Sequence, residues 1–174
     1  MNIGQLTGRK WYLAQHINAG KKREALFAWL SELHITPWTP LKLRQVRRTD
    51  AVRSFRHQVH PVFPGYFFLK ADFSCQPVAT IRRHSAFIDF VQYGSTITPV
   101  CDRIVDGLMK VYPDSALNPG AREALDAASR VWLTRVQYQH LLRLENNPVP
   151  ASRISMLLEL VFNAGNHGFM EWSK

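Results

Sequence analysis

Alternation and helical spacing replace one another along the 174-residue chain, and each change marks an element. Lys10 to Ile17, KWYLAQHI, is rich in β-formers and runs into Asn18-Ala19-Gly20, which predicts a strand and a turn. In the following KKREALFAWLSELHI, Leu26, Trp29, Leu30 and Leu33 recur at i, i+3, i+4 and i+7. That spacing is one face of an amphipathic helix, which Pro37 ends. TPWTPLKLRQVRR has two prolines and then a basic run in partial alternation, which suits an edge strand leading into an exposed hairpin. Arg47 to His60 contains Arg47, Arg48, Arg53, Arg56, His57 and His60 and little that can form a core, so it reads as a projecting loop or β-hairpin.

VFPGYFFLKADF, Val62 to Phe73, then turns a Pro-Gly corner into an aromatic strand. Alternate strand residues face opposite sides, so Tyr66 and Phe68 share one face and Phe67 and Leu69 the other. Either both faces are core, or one of them meets a partner. Pro77 opens a short helix over Val78 to His84, AFIDFVQYG is a strand closed by Gly94, and Thr98-Pro99 precedes a helix with Ile104, Val105, Leu108 and Val111 on one face. The resulting order, β-α-β-β-α-β-α, is an α+β domain over residues 1–113, a small antiparallel sheet with helices packed on it.

Residues 114–128, with Asn118-Pro119-Gly120 and small side chains, read as a linker to a second unit over 129–174. There Leu133, Val136, Leu141 and Leu144 fit one helix face and Ile154, Leu157, Leu158 and Val161 another, with Asn146 to Pro150 as the turn between them. VWLTRV and ISMLLELVF would also serve as buried strands, and periodicity alone leaves both open.

The net charge of +9 points towards polyanions, since clustered Lys and Arg gain affinity by releasing phosphate counterions. Eleven Lys or Arg fall between Arg9 and Arg56 against Glu24, Glu32 and Asp50. Cys75 and Cys101 make no CxxC or Cys/His spacing, so neither a metal site nor a cofactor is expected, and reduced thiols in a cytoplasmic protein are. No apolar run has the length of a membrane span, and no serine, cysteine or carboxylate stands at a triad spacing from His57 and His60, which argues against an enzyme.

KWYLAQ, the helix ending LFAWLSELHI, VFPGYFFLKADF, FIDFVQYG and PVCDRIVDGLM together resemble the N-terminal domain of NusG-type transcription elongation factors, from Lys10 to about Pro113. FPGYFF and FVQYG fall in that family's order and spacing. Within it the chain is most similar to the RfaH-like antiterminators and their plasmid-borne, ActX-like relatives, and SRISMLLELVF resembles the last hydrophobic segment of their C-terminal domain. The resemblance implies a monomeric regulator that docks on the clamp helices of the RNA polymerase largest subunit, reaches the β subunit, touches the non-template single strand, and suppresses pausing. A ribosomal protein is a further implied partner, through the C-terminal domain.

Family placement puts Tyr66, Phe68, Phe90, Tyr93, Val105 and Leu108 on the polymerase-facing side. Arg82, Arg83 and His84 lie where the family approaches single-stranded DNA, where cations pair with phosphate or stack on bases. Lys21, Lys22 and Arg23 are further DNA candidates, because cations at a helix start oppose its dipole and do not serve its stability. Arg47, Arg48, Arg53 and Arg56 of the hairpin follow. Three departures stand out. The His-Thr-Thr element that in RfaH meets the β subunit appears as Pro77-Val78-Ala79, the acidic residue that ties the two RfaH domains together falls at His60, and an inserted residue near Asn18 removes the basic pair that family members place after the first strand.

No glycine occurs between Gly120 and Gly165, where the family's C-terminal β-barrel needs tight turns. The expectation is a helical hairpin, about Ser129 to Glu145 and Ala151 to Phe162, covering the Tyr66 and Phe68 surface, with refolding to a barrel left open. A stand-alone nucleic-acid-binding protein that never meets polymerase is the competing function, and a polymerase inhibitor a third.

Overall fold

The structure is a computed structural model, and it describes residues 8–49, 54–112 and 135–166. Eight strands and five helices follow in the order β1 (Lys10–His16), α1 (Lys22–Glu32), β2 (Thr36–Trp38), β3 (Leu41–Arg47), β4 (Phe55–Pro61), β5 (Tyr66–Ala71), α2 (Val78–Ile81), β6 (Phe87–Phe90), β7 (Gln92–Tyr93), β8 (Thr96–Ile97), α3 (Asp102–Val111), α4 (Arg135–Asn146) and α5 (Pro150–Asn166) among the described residues. β2, β5, β1 and β6 form an antiparallel sheet in that order, while β3–β4 and β7–β8 are separate two-stranded ribbons.

The alternation read along β5 divides the sheet into two cores. Trp11, Leu13 and Phe68 point to one side, where Ile104, Val105 and Leu108 of α3 and then Leu141, Leu144, Leu157 and Val161 of α4 and α5 close over them. Tyr12, Ala14, Phe67 and Leu69 point to the other, against Leu26 and Leu30 of α1 and Ile81 of α2. The register Leu13↔Phe68 and Ala14↔Phe67 keeps like faces together across the central pair.

The Pro64-Gly65 corner is a tight turn: Tyr66 N–H donates to the Phe63 carbonyl at 3.0 Å, and Gly65 takes φ +81°. Proline second and a positive-φ glycine third is the pattern of a type II turn. The Gly65 carbonyl then accepts from His16 N–H at 2.9 Å, fixing where β5 starts beside β1.

β6 departs from simple alternation. Gln15 opposes Asp89 but His16 opposes Phe87, so one step along β1 matches two along β6. Ile88 is the extra residue of a bulge and is 55% exposed. The expected single strand through Gly94 is therefore split into β6 and β7, and the expected α2 helix ends at Ile81 instead of running to His84.

Candidate docking face and basic surfaces

Phe68 sits at the centre of the covered face, fully buried, its ring 5.8 Å from that of Trp38. Tyr66, two residues earlier, is at the margin of the same cluster. Its hydroxyl accepts from Gln15 Nε2 at 2.7 Å, and its carbonyl accepts from Thr39 Oγ1 at 3.2 Å. Val105 and Leu108 are buried beside them. Tyr93 is exposed on β7 but lays its ring 5.5 Å from Phe162 of α5. The structure thus brings Tyr66, Phe68, Val105, Leu108 and Tyr93 to the side on which α4 and α5 rest.

Phe90 is a correction. It opposes Ala14, whose face looks towards α1, and its ring packs edge-on against Tyr12, Phe73 and Phe87. The bulge at Ile88 puts both Phe87 and Phe90 in the α1-side core, so Phe90 leaves the docking set.

The cover itself matches the expected faces of α5, where Leu157 and Val161 are buried and Ile154 and Leu158 pack at the edge. On α4, Leu141 and Leu144 are buried, but Val136 is 68% exposed and belongs to solvent. Five residues separate Val136 from Leu141, about 140° from a shared helix face. His140 takes an inward position instead, its Nε2 donating to the Met156 carbonyl at 3.1 Å between the two helices. Leu133 lies outside the described residues, as does the expected linker.

Polar contacts tie the cover down at its rim. Lys42 Nζ on β3 reaches Glu145 Oε1 of α4 at 2.6 Å. Arg153 of α5 donates through Nε to the Val62 carbonyl at 3.0 Å and through Nη1 to the Asn147 carbonyl at 2.9 Å. Tyr112, buried in the same cluster, has its hydroxyl pKa pushed well above the usual range, first by burial and then by the neighbouring Glu145 carboxylate. Sequence reasoning missed Lys42, Glu145, Arg153 and Tyr112. Trp11 and Leu13 could have been found, since β1 shows the same alternation as β5.

The basic candidates occupy separate elements. Arg82 donates from Nε and Nη2 to Asp89 Oδ1 at 3.0 and 2.9 Å, so a carboxylate already faces its charge. Arg83 is exposed. His84 lays its ring 5.1 Å from Trp29 of α1, and its Nδ1 accepts from Ala86 N–H. Lys21 and Lys22 are exposed at the start of α1, and Arg23 pairs with Glu24 at 3.1 Å. Arg47 and Arg48 are exposed at the far end of β3. Arg53 lies outside the described residues, and Arg56 is described only as a backbone position on β4.

Among the described residues no group of three His, Cys, Asp or Glu side chains could hold a metal ion, and no helix is long and apolar enough to cross a membrane. Cys75 and Cys101 are free and exposed.

A family model described as transcription termination factor nusG matches residues 9–109, more than half of the chain. No curated protein matches it. Among solved structures, one described as domain interaction in Thermotoga maritima NusG is similar, with 18% sequence identity and a TM-score of 0.41. The match covers 59% of this chain and 56% of that one, so the chain spans little more than half the length of the solved relative.

Proposed function

Because the chain belongs to the NusG family of transcription factors and has the α+β fold of its N-terminal domain, we propose that it is an RfaH-like elongation regulator that suppresses pausing and termination. Its docking face is the side of the sheet carrying Tyr66 and Phe68, flanked by Val105, Leu108 and Tyr93. The clamp helices of RNA polymerase are the partner of that face. Arg83, Lys21 and Lys22, with Arg82 and His84 nearer to their own intramolecular partners, serve the non-template strand. In the resting chain α4 and α5 occupy the docking face, and the factor is autoinhibited until they leave.

One observation carries this reading: a full-length aromatic strand residue, Phe68, is completely buried beneath a helical pair whose own outward face is polar and partly apolar at Val136, Tyr138 and Leu142. An apolar surface of this kind, covered by an amphipathic helical pair, supports a masked protein-binding face. The departure at Pro77-Val78-Ala79 leaves the β-subunit contact without the RfaH residues, so the proposal rests on the clamp face.

Immobilised core RNA polymerase tests it. The double variant Leu144→Asp/Leu157→Asp places two carboxylates under the cover and should be retained strongly where the wild type is retained weakly. Tyr93→Ala, at an exposed position, should reduce that retention, and single-round transcription should show fewer paused complexes. Equal retention of open and closed chains would refute the mask. Loss of retention by both, with DNA binding intact, would instead establish a nucleic-acid-binding protein that acts without polymerase, and more pausing would establish an inhibitor.

A further inference from the structure

The β3–β4 ribbon has unlike faces. Leu41 opposes Pro61 and Leu43 opposes Val59, and residues two apart on a strand, like residues directly opposite, share a face. These four apolar side chains therefore form a two-by-two block. Leu43 is 51% exposed and Val59 44%, with Leu41 and Pro61 partly buried at the ribbon's base. None of the four belongs to either core of the sheet. Lys42, between Leu41 and Leu43, points to the opposite face, where Glu145 of α4 meets it. The block thus looks away from the C-terminal helices, and a contiguous apolar patch on so basic an element marks an interaction surface.

The same strand supplies a free side and a charge. Among the described residues β3 pairs with β4 on one side and with no strand on the other. From Leu41 to Arg48 it reads LKLRQVRR, four cations and no carboxylate. Arg47 is exposed and shares the block's face, four residues or about 13 Å beyond Leu43. A sheet edge accepts an added strand through main-chain hydrogen bonds, and pockets for alternate side chains decide which strand is accepted. Like charges directly opposite repel, so the edge disfavours a second copy of β3 and favours a carboxylate. Nucleic acid answers only half of this description: its phosphates suit the cations but leave Leu43 and Val59 wet.

We propose that the outer edge of β3 and the Leu43–Val59 block bind an extended segment of a further protein, added antiparallel to β3 as a third strand. That segment has two aliphatic residues, two apart, over the block, and an acidic residue opposite Arg47. The alternation of a strand makes this a spacing requirement: the carboxylate precedes the first aliphatic residue by four positions, so that all three side chains share one face.

The experiment titrates the isotopically labelled full chain, without polymerase, with a threonine nonapeptide carrying glutamate at its second position and valine at its sixth and eighth. Amide shifts up to millimolar peptide should concentrate on residues 41–47 and spare β1 and β5. Leu43→Thr/Val59→Thr changes two exposed positions to another β-former and should weaken binding about tenfold, with the β1 and β5 amides unmoved as the check on folding. Arg47→Glu should weaken it about two- to fivefold, and a peptide with lysine in place of the glutamate should recover the loss. No shifts on β3, shifts centred elsewhere, or equal binding of a peptide whose valines are threonine would each overturn the proposal. Amide positions on β3 that move with protein concentration alone would give the face to a second copy, and duplex DNA moving the Leu43 and Val59 amides as strongly as the peptide would give it to nucleic acid. None of these readings depends on polymerase or on α4 and α5 leaving, so this proposal and the docking proposal fail separately.

Discussion

Replacing Leu157 by alanine should loosen the cover while leaving the rest of the fold closed. Leu157 is fully buried on α5, in the cluster that contains Phe68, Leu108 and Leu144. Removing three buried carbons from such a position costs about 2 to 5 kcal/mol, the lower end if neighbours collapse into the gap. The loss falls on one side of the sheet. The α1-side core, with Tyr12, Phe67, Leu26 and Leu30, contains no residue of α4 or α5. If the helical pair opens as a local unit, amides of α5 that exchange through that opening should lose about thirtyfold protection or more, since each 1.4 kcal/mol is a factor of ten. Amides of α1 and of the β1–β5 pair should change far less. Hydrogen exchange read by mass spectrometry measures both, with Val136→Ala as a control at a solvent-facing position of the same pair. Equal loss of protection on both sides of the sheet would show that the cover opens only with global unfolding, and the local-unit reasoning would fall. No loss on α5 would show that Leu157 contributes nothing to holding it.

Four other substitutions have defined outcomes. His16 is buried, with Nδ1 donating to the Ile17 carbonyl at 3.0 Å; burial lowers its pKa and outweighs the raising effect of that carbonyl, with Arg23 lowering and Glu24 raising it less. The unfolded chain therefore takes up a proton near pH 6.5 before the folded chain does, so stability is full above about pH 6.5 and falls as pH drops below it; thermal melts of His16→Gln should show a shallower decline between pH 7 and 5, and an unchanged slope would refute the assignment. Gly65→Ala should cost about 1 to 2 kcal/mol in urea unfolding, because φ +81° is left-handed, whereas the nearest atom to its new Cβ, the His16 carbonyl oxygen, stands at an ordinary 3.7 Å; a neutral variant would show that the turn relaxes. On single-stranded DNA, Arg83→Ala should lower the salt slope by about 0.7, and Asp89→Asn should strengthen binding by freeing Arg82; if neither changes, this surface is not used.

The two-sided character of the sheet was legible because β5 alternates cleanly: nothing interrupts Tyr66, Phe67, Phe68 and Leu69, and their burial follows the period of two. The helical reading of the C-terminal segment held over the described part, α4 and α5, for a related reason. Without glycine to turn a short-stranded barrel, the spacing of Ile154, Leu157, Leu158 and Val161 leaves a helix as the element that gathers them. Phe90 was misplaced because a bulge is an event of pairing. Ile88 is extra only relative to Gln15 and His16, some seventy residues earlier, and no window around Phe90 contains that information. Val136 was misplaced by counting apolar residues without counting angle. The polar ties of Lys42, Glu145 and Arg153 had no sequence signal, since a lysine, a glutamate and an arginine on amphipathic elements are ordinary solvent-facing residues until the fold brings them together.

The energetics of the cover assign different work to its apolar and polar contacts. Leu141, Leu144, Leu157 and Val161 are each fully or nearly fully buried, and at about 1.5 to 3 kcal/mol apiece they supply a gross stabilisation of roughly 6 to 12 kcal/mol before the entropy of ordering two helices is subtracted. Such burial is non-directional, so it accepts any partner that presents a matching apolar surface to Phe68. The Lys42–Glu145 pair and the Arg153–Val62 bond add little to that sum, but they fix where the helices sit relative to the β3–β4 ribbon. Moving a two-state equilibrium from 1:99 to 99:1 takes about 5.5 kcal/mol of differential binding. The half-exposed Lys42–Glu145 pair accounts for at most about a fifth of this. Under the proposed masking, a contact that broke this pair would bias the cover but not remove it, and the larger share has to come from a partner that replaces the apolar contacts. On that proposal the response is set by the apolar partner that replaces the contacts to Phe68, and the polar rim sets only where the helices return.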